Sequence, residues 1–529
     1  MSTASLTMDG AEPWRPAVNP WIIAVVVTMA TFMEVLDTSI ANVALPHIAG
    51  NLSAGTDEST WVLTSYLVSN AIVLPLSGWI SSIIGRKRFY MTCVGIFTVS
   101  SLLCGLAPNL GMLIFFRVLQ GAGGGGLQPS EQSILADTFP PAKRGMAFAV
   151  YGLAVVMAPA IGPTLGGWIT DNYTWRWIFL VNIPVGLVSL LLTSRLIQDP
   201  PTMKLKKFSE VRVDYTGLGF LALGLGTLQI VLDKGQRDDW FESSFILTLS
   251  IIAVVALLFT VFWEWRVKDP IIDLHLFKDR TFASANLMMF VVGFVLLSST
   301  LLLPQFMQSL LGYTAERAGM ALSPGGFTLV LLMPLVGFLL SRYDPRRLMV
   351  GGFILVSTSL FLMTRFDLSV DFRTMVYARI LQSAGLAFLF VPINTAAYGY
   401  LPKDKNNAAS GLINLSRNIG GSVGISMVTT MLDRRTQHHQ NTLSSHLSAA
   451  NPSVQHLLQS TTLALQARGY SAADALHRAY AMMQTSIFRQ AAMLAYIDDF
   501  WMLAVGILCV TPLVFLMKKP KPGGEIAVH

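Results

Sequence analysis

The chain predicts an all-helical integral membrane protein of fourteen transmembrane helices, grouped six, two and six. Its composition, a succession of long apolar runs and an internal repeat each point there. Of 529 residues, 53% are hydrophobic and only 13% charged, roughly half the charged share of a soluble domain. A soluble protein of this length would split into several cores with charged helix faces between them. That alternation is missing, so lipid is the solvent that fits.

A helix crossing about 30 Å of hydrocarbon needs about 20 mostly apolar residues. Such runs centre near residues 33, 73, 98, 124, 159, 188, 223 and 254, then near 294, 330, 355, 388, 420 and 507. Residues 1–19 form a polar N-terminal segment with one basic residue, Arg15, and no small-residue cleavage pattern follows the first run, which argues against a removable signal peptide. Residues 20–197 hold the first six helices. The Pro-broken, basic stretch 198–214 reads as a linker, and 215–265 holds two extra helices. The second six occupy 266–517, including a long polar stretch at 432–497, and 518–529 form a tail.

The net charge of +7 sits in short clusters between apolar runs, not in one basic stripe, which excludes nucleic acid as the partner. Most of the 37 Lys and Arg residues fall on one side if both termini are cytoplasmic, as the positive-inside rule requires. Segment 432–497 then faces outside as a solvated or partly helical loop. Its histidines (His438, His439, His446, His456, His477) lack a metal-ligand spacing with a carboxylate partner, so no metal is expected. Cys93, Cys104 and Cys509 lie inside apolar runs and imply neither disulfide nor metal. The absence of a His-rich motif, nucleophile elbow or P-loop speaks against a membrane enzyme.

The repeat shows in PLSGWISSIIGRKRFY at 75–90, which returns as PLVGFLLSRYDPRRLM at 334–349, an offset of 259 residues. RVLQ at 117–120 returns as RILQ at 379–382, and Gly152-Leu153 as Gly411-Leu412. Two parallel six-helix halves of this kind are the build of a major facilitator transporter.

A carboxylate inside a membrane helix costs about 2.5 to 3.5 kcal/mol on insertion scales, so each is a functional candidate. Glu34 and Asp37 lie three residues apart on one face of the first helix, and Glu131 lies inside the fourth. All three are candidates for proton coupling, although Asp37 could instead only hold the first half together. Arg117 cannot deprotonate and needs an acid on a facing helix. Arg379 and Arg417 read as structural, lying near an interface and snorkelling. The Gly121 to Gly126 run is no nucleotide loop; it reads as close helix packing, as do Gly162, Gly166 and Gly167, while Pro159 and Pro163 should bend the fifth helix. An apolar, adaptable cavity with polar handles would draw on Phe32, Met33, Gln120, Gln128, Asn182, Gln305, Gln308, Gln382 and Asn394.

The motifs LDTSIANVALP (36–46), FFRVLQGAGGGG (115–126) and APAIGPTLGG (158–167) resemble the fourteen-span drug:proton antiporters of the major facilitator superfamily. LDKGQRDDWF (232–241), PIIDLHLFKDRTF (270–282) and LPQFMQSLLGYTAERAGMALSPGG (303–326) resemble the EmrB branch of its EmrB/QacA group. The resemblance covers nearly the whole chain. It implies a proton-coupled multidrug exporter of hydrophobic or amphipathic compounds in a bacterial inner membrane, driven by the proton-motive force without a cofactor. The alternative is export of an endogenous metabolite such as a siderophore or fatty acid. It also implies an EmrA-like periplasmic adaptor and a TolC-like outer-membrane channel, a proton-transfer role for Arg117, and an antiporter helix built on Gly152, Pro159, Gly162, Pro163, Gly166 and Gly167. A conformational latch after the second helix would use Gly78, Gly85, Arg86, Lys87 and Arg88, unless the basic residues only anchor topology. The family loop carries an Asp where this chain has Ser82, which alters the charge pairing expected there.

Overall fold

The computed structural model describes residues 18–199, 214–267, 270–340, 342–399, 401, 405–445, 447 and 452–518. Most of the N-terminal segment, most of the linker and almost all of the tail lie outside these. Among the described residues the chain is helical throughout, without strands. The principal helices, in chain order, are α1 (Pro20–Asn51), α2 (Trp61–Ile84), α3 (Arg86–Gly105), α4 (Leu110–Thr138), α5 (Pro141–Asn172), α6 (Trp177–Leu196), α7 (Tyr215–Lys234) and α8 (Ser244–Arg266). They continue with α9 (Arg280–Ser309), α10 (Ala315–Leu339), α11 (Pro345–Met363), α12 (Phe372–Tyr398), α13 (Asn406–Ser445), α14 (Pro452–Gln466) and α15 (Ala472–Val510).

Local chemistry sets many of the boundaries. Side chains of Asn19, Asn109, Asp214, Asp279, Thr314, Asp344, Asp371 and Ser471 cap helix N-termini, each accepting from an otherwise orphaned backbone N–H. Gly85, at φ 91°, turns the chain sharply between α2 and α3, a conformation a side chain would disfavour.

Twelve helices are long and apolar enough to cross a membrane, and α5, bent by 43° between its Lys143–Pro159 and Ile161–Asn172 arms, makes a thirteenth. The expected span near 420 is α13, which is not among these. Its composition is polar because Asn406, Ser410, Asn414 and Arg417 are buried against other helices, so the side that lipid never meets carries the polarity. α8 is the converse: Ile251, Val254, Val255, Leu258 and Val261 are exposed on its surface, as a lipid-facing helix requires.

The packing repeats. α1 packs on α5 as α9 packs on α13; α2 and α3 pack on α4 as α10 and α11 pack on α12; and α6 meets α1 and α3 as α15 meets α9 and α11. Across the middle, α5 packs along α10, and α2 along α13. The α7–α8 hairpin rests by α7 on α2 and α13. Glycines set the close approaches inside the first half. A Cβ on Gly123 would stand 2.7 Å from the Phe97 backbone nitrogen, and one on Gly125 2.6 Å from the Asn70 carbonyl oxygen. The Gly run of α4 thus packs at backbone distance on α2 and α3.

The stretch 432–497 is largely helix. α13 runs unbroken to Ser445, α14 spans Pro452–Gln466, and α15 begins at Ala472. At 1.5 Å per residue, the 40 residues of α13 reach about 60 Å, about twice the hydrocarbon thickness. α14 lies on the extended part of α15 through Leu458 and Leu465 against Ala475 and Ala479.

Candidate functional site

Two polar centres are buried in the first half, one turn apart on α1. Asp37 forms an ion pair with Arg117 at 2.6 Å and also accepts from Gln120 (3.0 Å) and Asn182 (2.7 Å). Arg117 donates in addition to the Val62 carbonyl (3.0 Å) and Gln120 Oε1 (2.8 Å), and its guanidinium lies 4.3 Å from the centre of the Tyr66 ring. Ser101 ties the cluster to α6 by accepting from Gln120 and Asn182 and donating to Phe179 O. The acid that Arg117 needs is Asp37. With three donors on its two oxygens and no exposure to solvent beyond 2%, Asp37 sits at the centre of a closed network.

Glu34 is placed differently. Oε1 accepts from Tyr66 (3.2 Å) and Asn70 (3.3 Å), and Oε2 from Gln128 (2.6 Å). Among the described residues only neutral side chains donate to it, and the nearest positive charge, Arg417, reaches it through Gln128 and not by a direct bond. Glu131, fully buried on α4, accepts from Thr28 (2.6 Å) through Oε1, while Oε2 has no hydrogen-bond partner among the described residues. A Cβ on Gly124 would stand 3.3 Å from Glu34 Cγ, so the glycine leaves room beside the carboxylate.

Gln128 links the first acid to the second half. Its Nε2 donates to Glu34, and its Oε1 accepts from Tyr151 (3.1 Å) and from Arg417 of α13. Arg417 also donates to the Tyr151 hydroxyl (2.8 Å), whose single proton is shared between Gln128 Oε1 and Asn414 Oδ1 (3.0 Å). From there polar contacts run to one end of the bundle: Asn414 and Tyr398 donate to Gln132 (2.8 and 3.0 Å), Gln132 to Asn394 (3.5 Å), Ser410 to the Pro129 carbonyl (2.6 Å), and Asn406 to Asp137 (3.1 Å). Asp137 also pairs with Arg86. The two halves are therefore joined at the Arg86 end.

This placement corrects the expectation for Arg379 and Arg417. Neither snorkels: they are 3% and 6% exposed. Arg379 donates to Gln382 (2.7 Å), Ser299 and Thr300. Both are held by polar side chains of facing helices, which removes the need to reach an interface.

Among the cavity candidates, Gln120, Gln128, Asn182, Gln382 and Asn394 are buried and engaged in these networks. Met33 is buried and Phe32 half-buried. Gln305 and Gln308 are exposed near the end of α9. Of the latch candidates around the α2–α3 turn, Gly78 is buried within α2, while on the first turn of α3 Lys87 bonds to Asp199 through its backbone N–H (2.9 Å) and to the Ser194 carbonyl through Nζ (2.6 Å), and Arg88 is exposed. Ser82 bonds only within its own turn, to Trp79 O (2.7 Å), so the family's acidic contact has no counterpart at this position.

In α5, Pro163 has no N–H to give the Pro159 carbonyl, and Ser39 of α1 donates there at 3.4 Å. Gly162 and Gly166 accommodate Ser39 and Ile40, and Gly152 accommodates Phe390 and Met333. Gly167 departs from the close-packing expectation: a Cβ there would meet nothing within 4 Å, because it points away from α1.

Sequence reasoning missed Tyr66, Asn70, Gln132, Asp137, Tyr151, Tyr398 and Asn414. Asp137, an acid at the end of an apolar run, was the one with a usable signal. No group of three potential metal ligands occurs among the described residues.

The sequence profile of the Major Facilitator Superfamily matches residues 27–425. The chain is 37% identical to the multidrug export protein EmrB of Escherichia coli K12 over 504 residues, covering 95% of this chain and 96% of that protein. It is equally 37% identical to the fatty acid resistance protein FarB of Neisseria gonorrhoeae over 513 residues, covering 97% and 98%. It is 30% identical to the colistin resistance protein EmrB of Acinetobacter baumannii over 510 residues, covering 96% and 98%. Among solved structures it resembles the proton:xylose symporter XylE, with a TM-score of 0.58 at 13% identity, covering 94% of this chain and 99% of that one; this likeness concerns the fold.

Proposed function

The chain belongs to the major facilitator superfamily, on its EmrB-type branch, and from that premise we propose that it exports hydrophobic or amphipathic compounds in exchange for protons, by rocking its two halves about a central site. The observation that carries the proposal is the bond path from Glu34 through Gln128 to Arg417 and Tyr151. A carboxylate that gains a proton loses acceptor strength toward Gln128. The Gln128 amide is then freed to turn, and its contact with the second half loosens. Proton binding and the junction of the halves thereby share one side chain. Asp37 and Arg117 act as a fixed ion pair, and Glu34 and Glu131 as the groups that exchange protons.

The proton-motive force is the energy source, and neither a cofactor nor a covalent catalytic step is required. One proton moving down about 100 mV supplies about 2.3 kcal/mol. At about 1.4 kcal/mol per tenfold, this sustains roughly fortyfold accumulation of a neutral compound. We place the protein in the bacterial inner membrane with both termini cytoplasmic, on the distribution of Lys and Arg; the Arg86 end is then the cytoplasmic end, and the joined halves are closed to the cytoplasm. The division into a six-helix half, linker, helix pair and second half follows the packing repeat. The helical extension 432–497 is where an EmrA-like adaptor would dock and lead to a TolC-like channel. The similarity to FarB supports a second reading in which fatty acids are the substrate.

The test is purified protein in liposomes with an internal pH-sensitive dye, given lipophilic cations, weak-acid uncouplers and fatty acids in turn. Wild type is expected to move protons when a substrate is added, and Glu34→Gln to lose at least about tenfold of that signal. Substrate movement without protons in the wild type, or normal coupling in the variant, overturns the mechanism.

A further inference from the structure

The second half contains a buried acid for which the N-terminal network has no use. Asp499 lies on α15 between Tyr496 and Leu503, on a face that is itself buried. Its side chain is 0% exposed, and neither Oδ1 nor Oδ2 has a hydrogen-bond partner among the described residues. The stretch from Asp499 to the end of α15 at Val510 rises about 16 Å, and the 3-10 turns Thr511–Leu516 add about 12 Å, which places the carboxyl about 28 Å from the cytoplasmic end, close to the outer boundary of the hydrocarbon.

The surroundings of this carboxyl are specific. α9 and the turn after α11 close one side with aromatic rings: Phe306 stacks edge-on to Tyr496 at 5.4 Å, and Phe366 to Phe500 at 6.3 Å. Ser309 of α9 is engaged with the Tyr496 hydroxyl at 3.4 Å. The charged groups within electrostatic reach are Asp433 and Arg435 on α13 and Asp498 on α15 itself. Asp498 is already matched, by His439 at 2.9 Å and by Arg435 at 3.4 Å, and Asp433 accepts from Gln236 at 2.9 Å. α14 meets α15 more than a dozen residues away, through Leu458 and Leu465.

An ionised carboxylate without a donor in such a place carries the full desolvation cost of a buried charge. As the neutral acid, the group fits; as an anion, it needs water or a cation. Arg435, 48% exposed and held by Asp498 only at 3.4 Å, is the cation within reach. We propose that Asp499 is a second proton-binding site, located in the C-terminal half, which carries its proton in the conformation seen here and releases it when α13 and α15 separate enough for Arg435 or water to reach the carboxylate. The step is proton transfer alone: the O–H bond of Asp499 breaks, the proton passes to water at the outer end of the bundle, and Arg435 compensates the charge left behind. A merely structural role predicts otherwise, since an apolar side chain would fill the same place at lower cost.

This inference deepens the antiport reading but is tested first without transport. Infrared difference spectra of the protein in liposomes, recorded between acidic and alkaline pH, should show a neutral-carboxyl band that shrinks as pH rises. That band is expected to be absent in Asp499→Asn, to shift in Asp499→Glu and to survive in Glu34→Gln. In the liposome assay, Asp499→Asn should lower the number of protons moved per substrate while substrate still moves. A wild-type spectrum without a band that depends on Asp499 overturns the proposal, as does a band that does not titrate together with unchanged stoichiometry in Asp499→Asn. If Asp499→Asn does not fold, the shift or its absence in Asp499→Glu decides. Should wild type move substrate without protons, the antiport reading fails while the infrared titration still reports on Asp499.

Discussion

At the scale of single residues, the two acids of α1 are held differently although three positions separate them. Asp37 is bound to a cation that cannot lose its charge, so Asp37→Asn should leave Arg117 buried without its counter-ion. Removing one partner of a buried pair costs about 3 to 5 kcal/mol. The expected outcome is a marked fall in the thermal midpoint of detergent-purified protein, whereas Glu34→Gln, which removes an acid bonded only to neutral donors, should leave the midpoint nearly unchanged and abolish coupling. Equal destabilisation by both would contradict the division of roles. Glu34, Asp37, Glu131 and Arg117 were legible in the sequence because a charge in an apolar run is expensive wherever it points. Tyr66, Tyr151, Gln132 and Asn414 were not, because a neutral polar group can satisfy itself within its own helix or face lipid headgroups at modest cost. Only three-dimensional placement shows Tyr151 bonded to Asn414, 263 positions away. Asp499 was hidden by its position at the foot of the last apolar run, where an acid reads as interfacial.

At the scale of elements, hydropathy finds the crossing and misses what continues beyond it. The same helix can leave the membrane without a break, and α13 and α15 do so. The polar stretch 432–497 looked like a loop because its residues are hydrophilic, which water permits on a helix as readily as on a coil. α5 is the opposite case, since Pro159 and Pro163 announced a bend that is present at 43°. Its glycines also give an element-level prediction. Gly162 faces Ser39 so closely that a side chain cannot enter without moving α1. Gly162→Val should therefore push α1 from α5 and reduce substrate-driven proton movement by at least about tenfold, while Gly167→Val, whose Cβ meets open space, should transport normally. Equal activity of the two variants in liposomes would show that the α1–α5 contact does not matter to transport.

At the scale of the whole molecule, the two-fold repeat was visible as a recurring offset of 259 residues because helix ends, basic loops and Pro positions must recur wherever the same packing recurs. Which end of the bundle is closed could not be read that way, since both arrangements use the same sequence. The closed end is set by contacts between halves at the Arg86 side, where α5 meets α10. A Cβ on Gly337 would lie 2.9 Å from Met146 Cα, too close for a side chain, whereas one on Gly145 would stand 3.1 Å from the tip of the Leu340 side chain, which a cysteine at 340 removes. In a background with Cys93, Cys104 and Cys509 replaced, Gly145→Cys with Leu340→Cys should cross-link under mild oxidation and hold this end shut. If transport requires the halves to part here, oxidation stops substrate-driven proton movement and a reductant restores it, while each single-cysteine variant responds to neither treatment. A cross-linked protein that still transports would mean that these ends need not separate, and alternating access about this junction would be excluded.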